Sequence, residues 1–511
     1  MATLPTAATL RARLLAALGQ PEARLSRAAH RAGNDRTGIA AVRHIAAAAR
    51  AGLPEAQAKL GLCYLHGQGV PASETEARHW LERAAQGGDV GAQTALASMA
   101  LRGLSGPYER GPFARPASAE PDNRLAADLA RRAAEGGSAE ARALLAFLLR
   151  TDPSLAGAPE EANALYQASA EAGWPLGQLG HAMTRLGENT PEALREAQDL
   201  LQAAAAAHLP TAHFLLGAMT EAGACAAPDL TTAAAHYRRG AEHGHTGSKT
   251  RLGLALLTGR GTPRNLVEAE TWLRRAAHDG DKTAAALLGD FHANPEQPSP
   301  NRAEAARWYR RAAELGHAGS AHALARAITA GAEGQPDPRD ILHWLQTAIT
   351  LGAHAAWSDL RGLILVRCLP EDHLPALHFW LQSMIQQNHP EAGFQVGLCL
   401  NAGIGTPPDE AMARRYYLWA ASLGLIEAMA AAAEMLLNGR GGPSDPDLAR
   451  ALFTHAAKRG HPGAAYALGV MAGDDCAQAM PHFRHAAALG HAKAQTLVER
   501  ETAQEETALG A

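Results

Sequence analysis

The residues with the most chemistry in this 511-residue chain are its 24 histidines and five cysteines. His243 and His245 form an HxH pair, and His482 and His485 an HxxH pair. Such spacings can turn two imidazoles toward one metal ion, but neither pair has a third ligand of suitable type nearby, so no metal site is expected. His245, His317, His389, His461 and His491 recur at one place in a repeating pattern. Metal ligands must converge on a point, so these five read as structural, each a polar tip over the next helix. Cys63, Cys225, Cys368, Cys399 and Cys476 are odd in number and fit no CxxC spacing. They read as reduced, mostly buried thiols in a reducing compartment. GRGT (259–262) and GRGG (439–442) resemble phosphate loops only in glycine content, since no Lys-Ser/Thr follows and no strand precedes. No HExxH, no GxSxG and no nucleophile–base pair at a credible spacing stands in the chain. An enzyme is therefore not expected, and neither is a cofactor.

The elements that would have to position any site are strongly periodic. Trp272, Trp308, Trp344 and Trp380 stand 36 residues apart, with Tyr416 next in the series. Gly244, Gly280, Gly316 and Gly352 share that period, continued by Asn388, Gly424 and Gly460; so do Gly217, Gly253 and Gly289. A period of this size marks one supersecondary unit stacked many times. The first clear unit starts at Ala56. Its helix A places Ala56, Leu60, Cys63 and Tyr64 on one stripe, with Gly61 beside it for close helix approach. Gly67, Gly69 and Pro71 make the turn, and Ser73 with Glu76 reads as a capping box. Helix B buries Ala77, Trp80, Leu81, Ala84 and Ala85, and Gly88 stops it in the left-handed conformation. Asn388 at the corresponding stop keeps the backbone requirement, because asparagine tolerates positive φ best after glycine. The tryptophans read as wedges between helices.

From 212 to 464 the unit starts step by 36 without exception. The unit at Ala92 carries about 13 extra residues within 103–121, a Gly/Pro-rich loop. The unit at Ala464 is six residues short, and that at Ala356 has RCLPEDHLP (367–375) in place of a Gly-x-Gly turn. The expected organisation is an N-terminal tail or capping helix over 1–20, a solenoid of about 13 units over 21–498, and an acidic tail over 499–511, a helix end followed by disorder.

The motif A-x-x-x-L-G-x-x-[YLF]-x-x-G-x-G … A-x-x-[WY]-x-x-x-A-A-x-x-G-[HD] resembles the Sel-one-like repeat, a longer relative of the tetratricopeptide repeat. Residues 248–281 and 392–424 show it well, and the match covers roughly nine-tenths of the chain. The resemblance implies an all-α fold, a right-handed superhelical solenoid of antiparallel helix pairs. It also implies a non-catalytic scaffold or adaptor for protein complexes, often in bacterial signalling or assembly. A cysteine-rich subgroup has reported β-lactam binding, the alternative enzyme reading; this chain lacks the paired cysteines of that subgroup.

Net charge is −4 with 19% charged residues, which supplies no basic surface for nucleic acid or anionic membrane. No apolar window is long enough to span a bilayer, and no signal segment is evident, so a cytoplasmic location is expected. In a binding protein the informative positions are those the repeat leaves free. Offsets 2 and 6 on helix A lie roughly opposite the buried stripe, and in the tetratricopeptide resemblance the matching offsets line a concave groove. Along the chain they are Leu179 and Met183; Phe214; Leu254; Asp290; His322 and Arg326; Phe394 and Leu398; Glu434; Tyr466 and Val470. They describe an expected groove with apolar ends and a charged middle, fit for a partner peptide or helix with hydrophobic anchors.

Overall fold

The computed structural model of the chain describes residues 38–103, 121–155, 159–296, 300–367, 369–473 and 476–509. The expected tail over 1–20, most of the 103–121 loop, Cys368 and residues 474–475 lie outside them. Among the described residues every regular element is an α-helix apart from one 3-10 turn, Glu371–His373. Twelve complete A/B pairs run from Pro54–His66 with Glu74–Gln86 to Pro462–Met471 with Cys476–Ala488. Gly38–Arg50 precedes them and Ala492–Leu509 follows. The acidic stretch from Glu499 therefore continues a helix as far as Leu509, where disorder was expected. The chain divides into two compact units, Met1–Arg275 and Ala276–Ala511.

The pair is set by its local chemistry. Helix B begins at a side-chain cap: Ser73, Asp122, Asp229, Asn301, Asp409 and Asp445 each accept a bond from a first-turn backbone N–H. The capping box at Ser73 is half formed. Ser73 Oγ accepts from Glu76 N at 3.3 Å, while the Ser73 N–H donates back to Tyr64 O at 2.9 Å. That second bond is a recurring latch between the two helices of a pair. The N–H of the cap residue reaches a carbonyl in the last turns of helix A, as Asp229 does to Thr220, Asn265 to Leu256, Asn301 to His292 and Asp409 to Leu400. Asp122 makes the same bond to Ala100 although the 103–121 segment intervenes.

Helix B ends in a left-handed residue at the expected positions. Gly88, Gly244, Gly280, Gly316 and Gly424 have φ between +83° and +95°. Asn388 takes φ +61°, as its place in the series requires, and His208 does the same at +62° one stop earlier than Gly244. The next residue caps the following helix A, and here the repeating histidines find their duty. Nδ1 of His245, His317 and His461 accepts the N–H of Ser248, Ser320 and Ala464 at 3.0, 3.1 and 3.0 Å. Asp89, Ser138 and Asp281 do the same elsewhere. An imidazole can accept here only while that nitrogen is unprotonated.

The core is thin and built on small residues, with alanine at its helix crossings. Its deepest wedge is the residue after the tryptophan position, although Trp344 is buried too. Leu81, Leu273, Leu345 and Leu381 are 0–1% exposed, and Tyr237, Tyr309 and Tyr417 are buried. Each of Leu81, Tyr237, Leu273 and Tyr417 presses on the helix-A glycine opposite: a Cβ placed on Gly61, Gly217, Gly253 or Gly397 would meet it at 2.6–2.7 Å. Trp272 and Trp308 are only half-buried. They donate Nε1–H to Glu268 and Glu304 one turn back, and Arg275 lies 4.9 Å over the Trp272 ring.

Candidate functional site

The offset-2 side chains of helix A do not face open space. In the first unit Leu179 is half-buried against the Leu201–Leu216 core. Phe214 lies 6.0 Å from the Tyr237 ring and 4.7 Å from His245. In the second unit Phe394 is only 9% exposed and packs 5.4 Å from Tyr417, which corrects its assignment to an open groove. Tyr466 stacks 4.3 Å from His491 and 5.4 Å from Phe483. His322 Nε2 sits 2.8 Å from Asp359 Oδ2 of the next pair. The reason is the stacking itself. An interior helix A is covered on two sides, by its own helix B and by the following pair, so offset 2 points into the seam between pairs. Ala58, at offset 2 of the first clear unit, shows this by sharing a core with Leu81, Ala92 and Leu96.

Offset 6 is the open position. Met183 is 49% and Val470 55% exposed, and Asp290, Arg326 and Glu434 are exposed too. Leu254 and Leu398 are the exceptions: Leu254 is half-buried and lines a narrow crevice with Tyr237 and Arg251, and Leu398 is half-buried between two core clusters. Asp290 accepts the Tyr309 hydroxyl at 2.8 Å, and burial together with that carboxylate pushes the phenol upward in pKa. No described helix is long and apolar enough to cross a membrane. Among the described residues no three His, Cys, Asp or Glu side chains converge in a way that could hold a metal ion. The expectation of mostly buried thiols needs one correction: Cys225 is exposed and Cys63 half-buried, while Cys399 is buried and its pKa is pushed up to about 11 by that burial.

The sequence reading missed a cluster in the first unit. His208 follows helix Pro191–Ala206, His213 lies on Pro210–Ala222, His236 on Leu230–Glu242, and His243 caps the end of that last helix. These line a cavity of about 460 Å³ with Arg239 and Gln202. His213, 5% exposed, is the floor, and its Nδ1 lies 3.5 Å from Nδ1 of His236. His208, Arg239 and His243 stand exposed at the mouth. The His208 and His243 rings are 5.3 Å apart, and His243 stacks at 6.3 Å on His213. Burial, with His236, Arg239, His243 and His208 adding to it, pulls the His213 pKa down to about 4. Burial and then Arg239 lower that of His236. Both rings are therefore held neutral. The repeat does carry a signal of this cluster: His208 takes the place of a stop glycine, and His236 that of the tryptophan series, each 36 residues before Gly244 and Trp272.

The Sel1 repeat family matches residues 54–89, 91–138, 210–245, 248–281, 283–317, 390–425 and 426–461, together more than half of the chain. A protective antigen of uropathogenic Escherichia coli with an SLR fold is similar at 21% identity and TM-score 0.52, over 89% of this chain and 97% of its own. A Sel1 repeat protein from Oxalobacter formigenes is similar at 20% identity and TM-score 0.44, over 70% of this chain and 93% of its own. At these identities the likeness is one of fold. No curated protein matches.

Proposed function

This chain belongs to the Sel1 repeat family, and from that premise we propose that it is a non-catalytic scaffold or adaptor that binds a protein partner, as a peptide or helix, on the face presented by its A helices. Folds of this class are generally protein-interaction scaffolds. The observation that supports the reading is the offset-6 row, most of which stands exposed while Leu254 and Leu398 pack. It exposes Met183 in the first unit, and Asp290, Arg326, Glu434 and Val470 in the second. Lone apolar side chains held in solvent beside charged ones on a rigid helix suit a partner with spaced hydrophobic anchors. Rigid helices order such a surface before the partner arrives, so binding loses less conformational entropy.

The test is affinity capture by the intact chain, compared with Met183→Asp and Val470→Asp. The expected outcome is a co-purifying protein whose yield falls about tenfold or more in at least one variant, as for loss of an interface anchor. Thermal unfolding of both variants is expected to match the parent, because both residues are about half exposed. Equal recovery of the same proteins by parent and both variants would reject the assignment of this face.

A further inference from the structure

We infer that the cavity formed by His208, His213, His236, Arg239 and His243 is a binding site for a small oxyanion, a carboxylate or phosphate group, taken up together with protons. The lining holds one guanidinium, four imidazoles and the Gln202 amide, with no carboxylate among these residues. A metal cation is the poorer fit: no metal-ligating triad is in place among the described residues, and Arg239 at the mouth repels a second cation. An anion reverses both objections. Arg239 offers a fixed fork of donors, and each ring that gains a proton becomes a second charged donor.

The groups that face His213 come from every element around it. Helix Leu230–Glu242 contributes His236 and Arg239, the segments beside the helices contribute His243 and His208, and helix Pro191–Ala206 contributes Gln202. All the charges acting on His213 are positive or become positive on protonation. In the free cavity they keep the buried rings neutral; a bound anion supplies the missing counter-charge and favours the imidazolium. Ligand and proton therefore bind with positive coupling.

The backbone supplies a separate argument. His208 holds φ +62°, where equivalent stops carry glycine or asparagine. A histidine in the left-handed region costs energy that a glycine would not. Strain of this kind kept at the rim of a cavity is a pointer to a role for the side chain.

Isothermal titration calorimetry of the full chain with inorganic phosphate and, separately, with succinate tests this at about pH 5.5 and about pH 7.5, on either side of the ordinary imidazole pKa. Two buffers of different ionisation enthalpy read out the proton count. The expected result is saturable binding of at least one of the two anions at the lower pH, with net proton uptake and affinity about tenfold weaker at the higher pH. Which anion binds identifies the source chemistry. Arg239→Ala, at the exposed mouth, should weaken binding about tenfold or more without changing the circular-dichroism melt. His236→Phe should abolish the proton uptake. No binding at either pH, affinity indifferent to pH, or full affinity in Arg239→Ala would each overturn the inference. So would tight Zn²⁺ binding that His236→Phe removes.

Discussion

Replacing Gly61 by alanine sets two effects of opposite sign against each other. Gly61 lies inside helix Pro54–His66, where alanine is favoured by about 1 kcal/mol on helix propensity alone. The added methyl would sit 2.6 Å from Leu81 Cγ and 3.0 Å from the Ala77 carbonyl oxygen. Neither neighbour can yield cheaply: Leu81 is 0% exposed, and the carbonyl belongs to helix backbone. Overpacking of this kind costs about 1–3 kcal/mol, so Gly61→Ala should destabilise by up to about 2 kcal/mol net. Leu81→Ala alone should cost about 2–5 kcal/mol through lost burial and a cavity. In the double variant the new methyl enters the space that Leu81 leaves, so the cost should fall short of the sum by about 1 kcal/mol or more. A small pair at these two places has a precedent in the chain: Ala97 and Ala130, both buried, occupy them in the following unit. Hydrogen exchange of helix Pro54–His66 amides is the suitable assay, because stacked repeats open locally. Stabilisation by Gly61→Ala, or strictly additive costs, would refute the wedge-and-glycine account of the crossing.

His461 caps its helix as a neutral ring, and burial, the largest influence, lowers its pKa. Its contribution should be complete above the ordinary histidine pKa of about 6.5 and be lost as pH falls below that value; His461→Asp, which copies Asp89 and Asp281, should flatten this acid-side loss in pH-dependent melts. His208→Gly should stabilise by about 1 kcal/mol by relieving a left-handed backbone, whereas Asn388→Ala should destabilise by a similar amount, both read by denaturant unfolding. Cys225, exposed, should react readily with a thiol reagent at neutral pH, and Cys399, buried with its pKa up to about 11, should react only on unfolding, as mass spectrometry of timed aliquots would show.

The helix pairs were legible because each rests on local requirements that recur: a left-handed stop, a polar cap, a small residue at a close crossing. Asn388 and Gly244 could be matched on backbone conformation alone. That Leu273 lies deeper than Trp272 was not legible, because size is visible in a sequence and orientation is not; one residue of rotation moves a side chain about 100° around the helix. Phe394 was misplaced because a helical wheel assumes one covered face, whereas an interior A helix has two. The histidine cavity escaped notice because His208, His213 and the pair His236 and His243 come from three successive segments, and only their packing brings them together. Its trace in the sequence was a broken rule, two histidines where the period called for glycine and tryptophan.

The latch from Asp122 N–H to the Ala100 carbonyl, 3.1 Å long, equals its counterparts although many more residues separate its ends. Registration of the two helices within a pair is thus indifferent to how much polypeptide hangs between them. Loop-closure entropy grows only with the logarithm of length, about 0.6 kcal/mol per doubling. The junction before Asn265 or Asp409 is accordingly a place where evolution, or an engineer, can splice in new sequence and leave the stack beneath it unaltered.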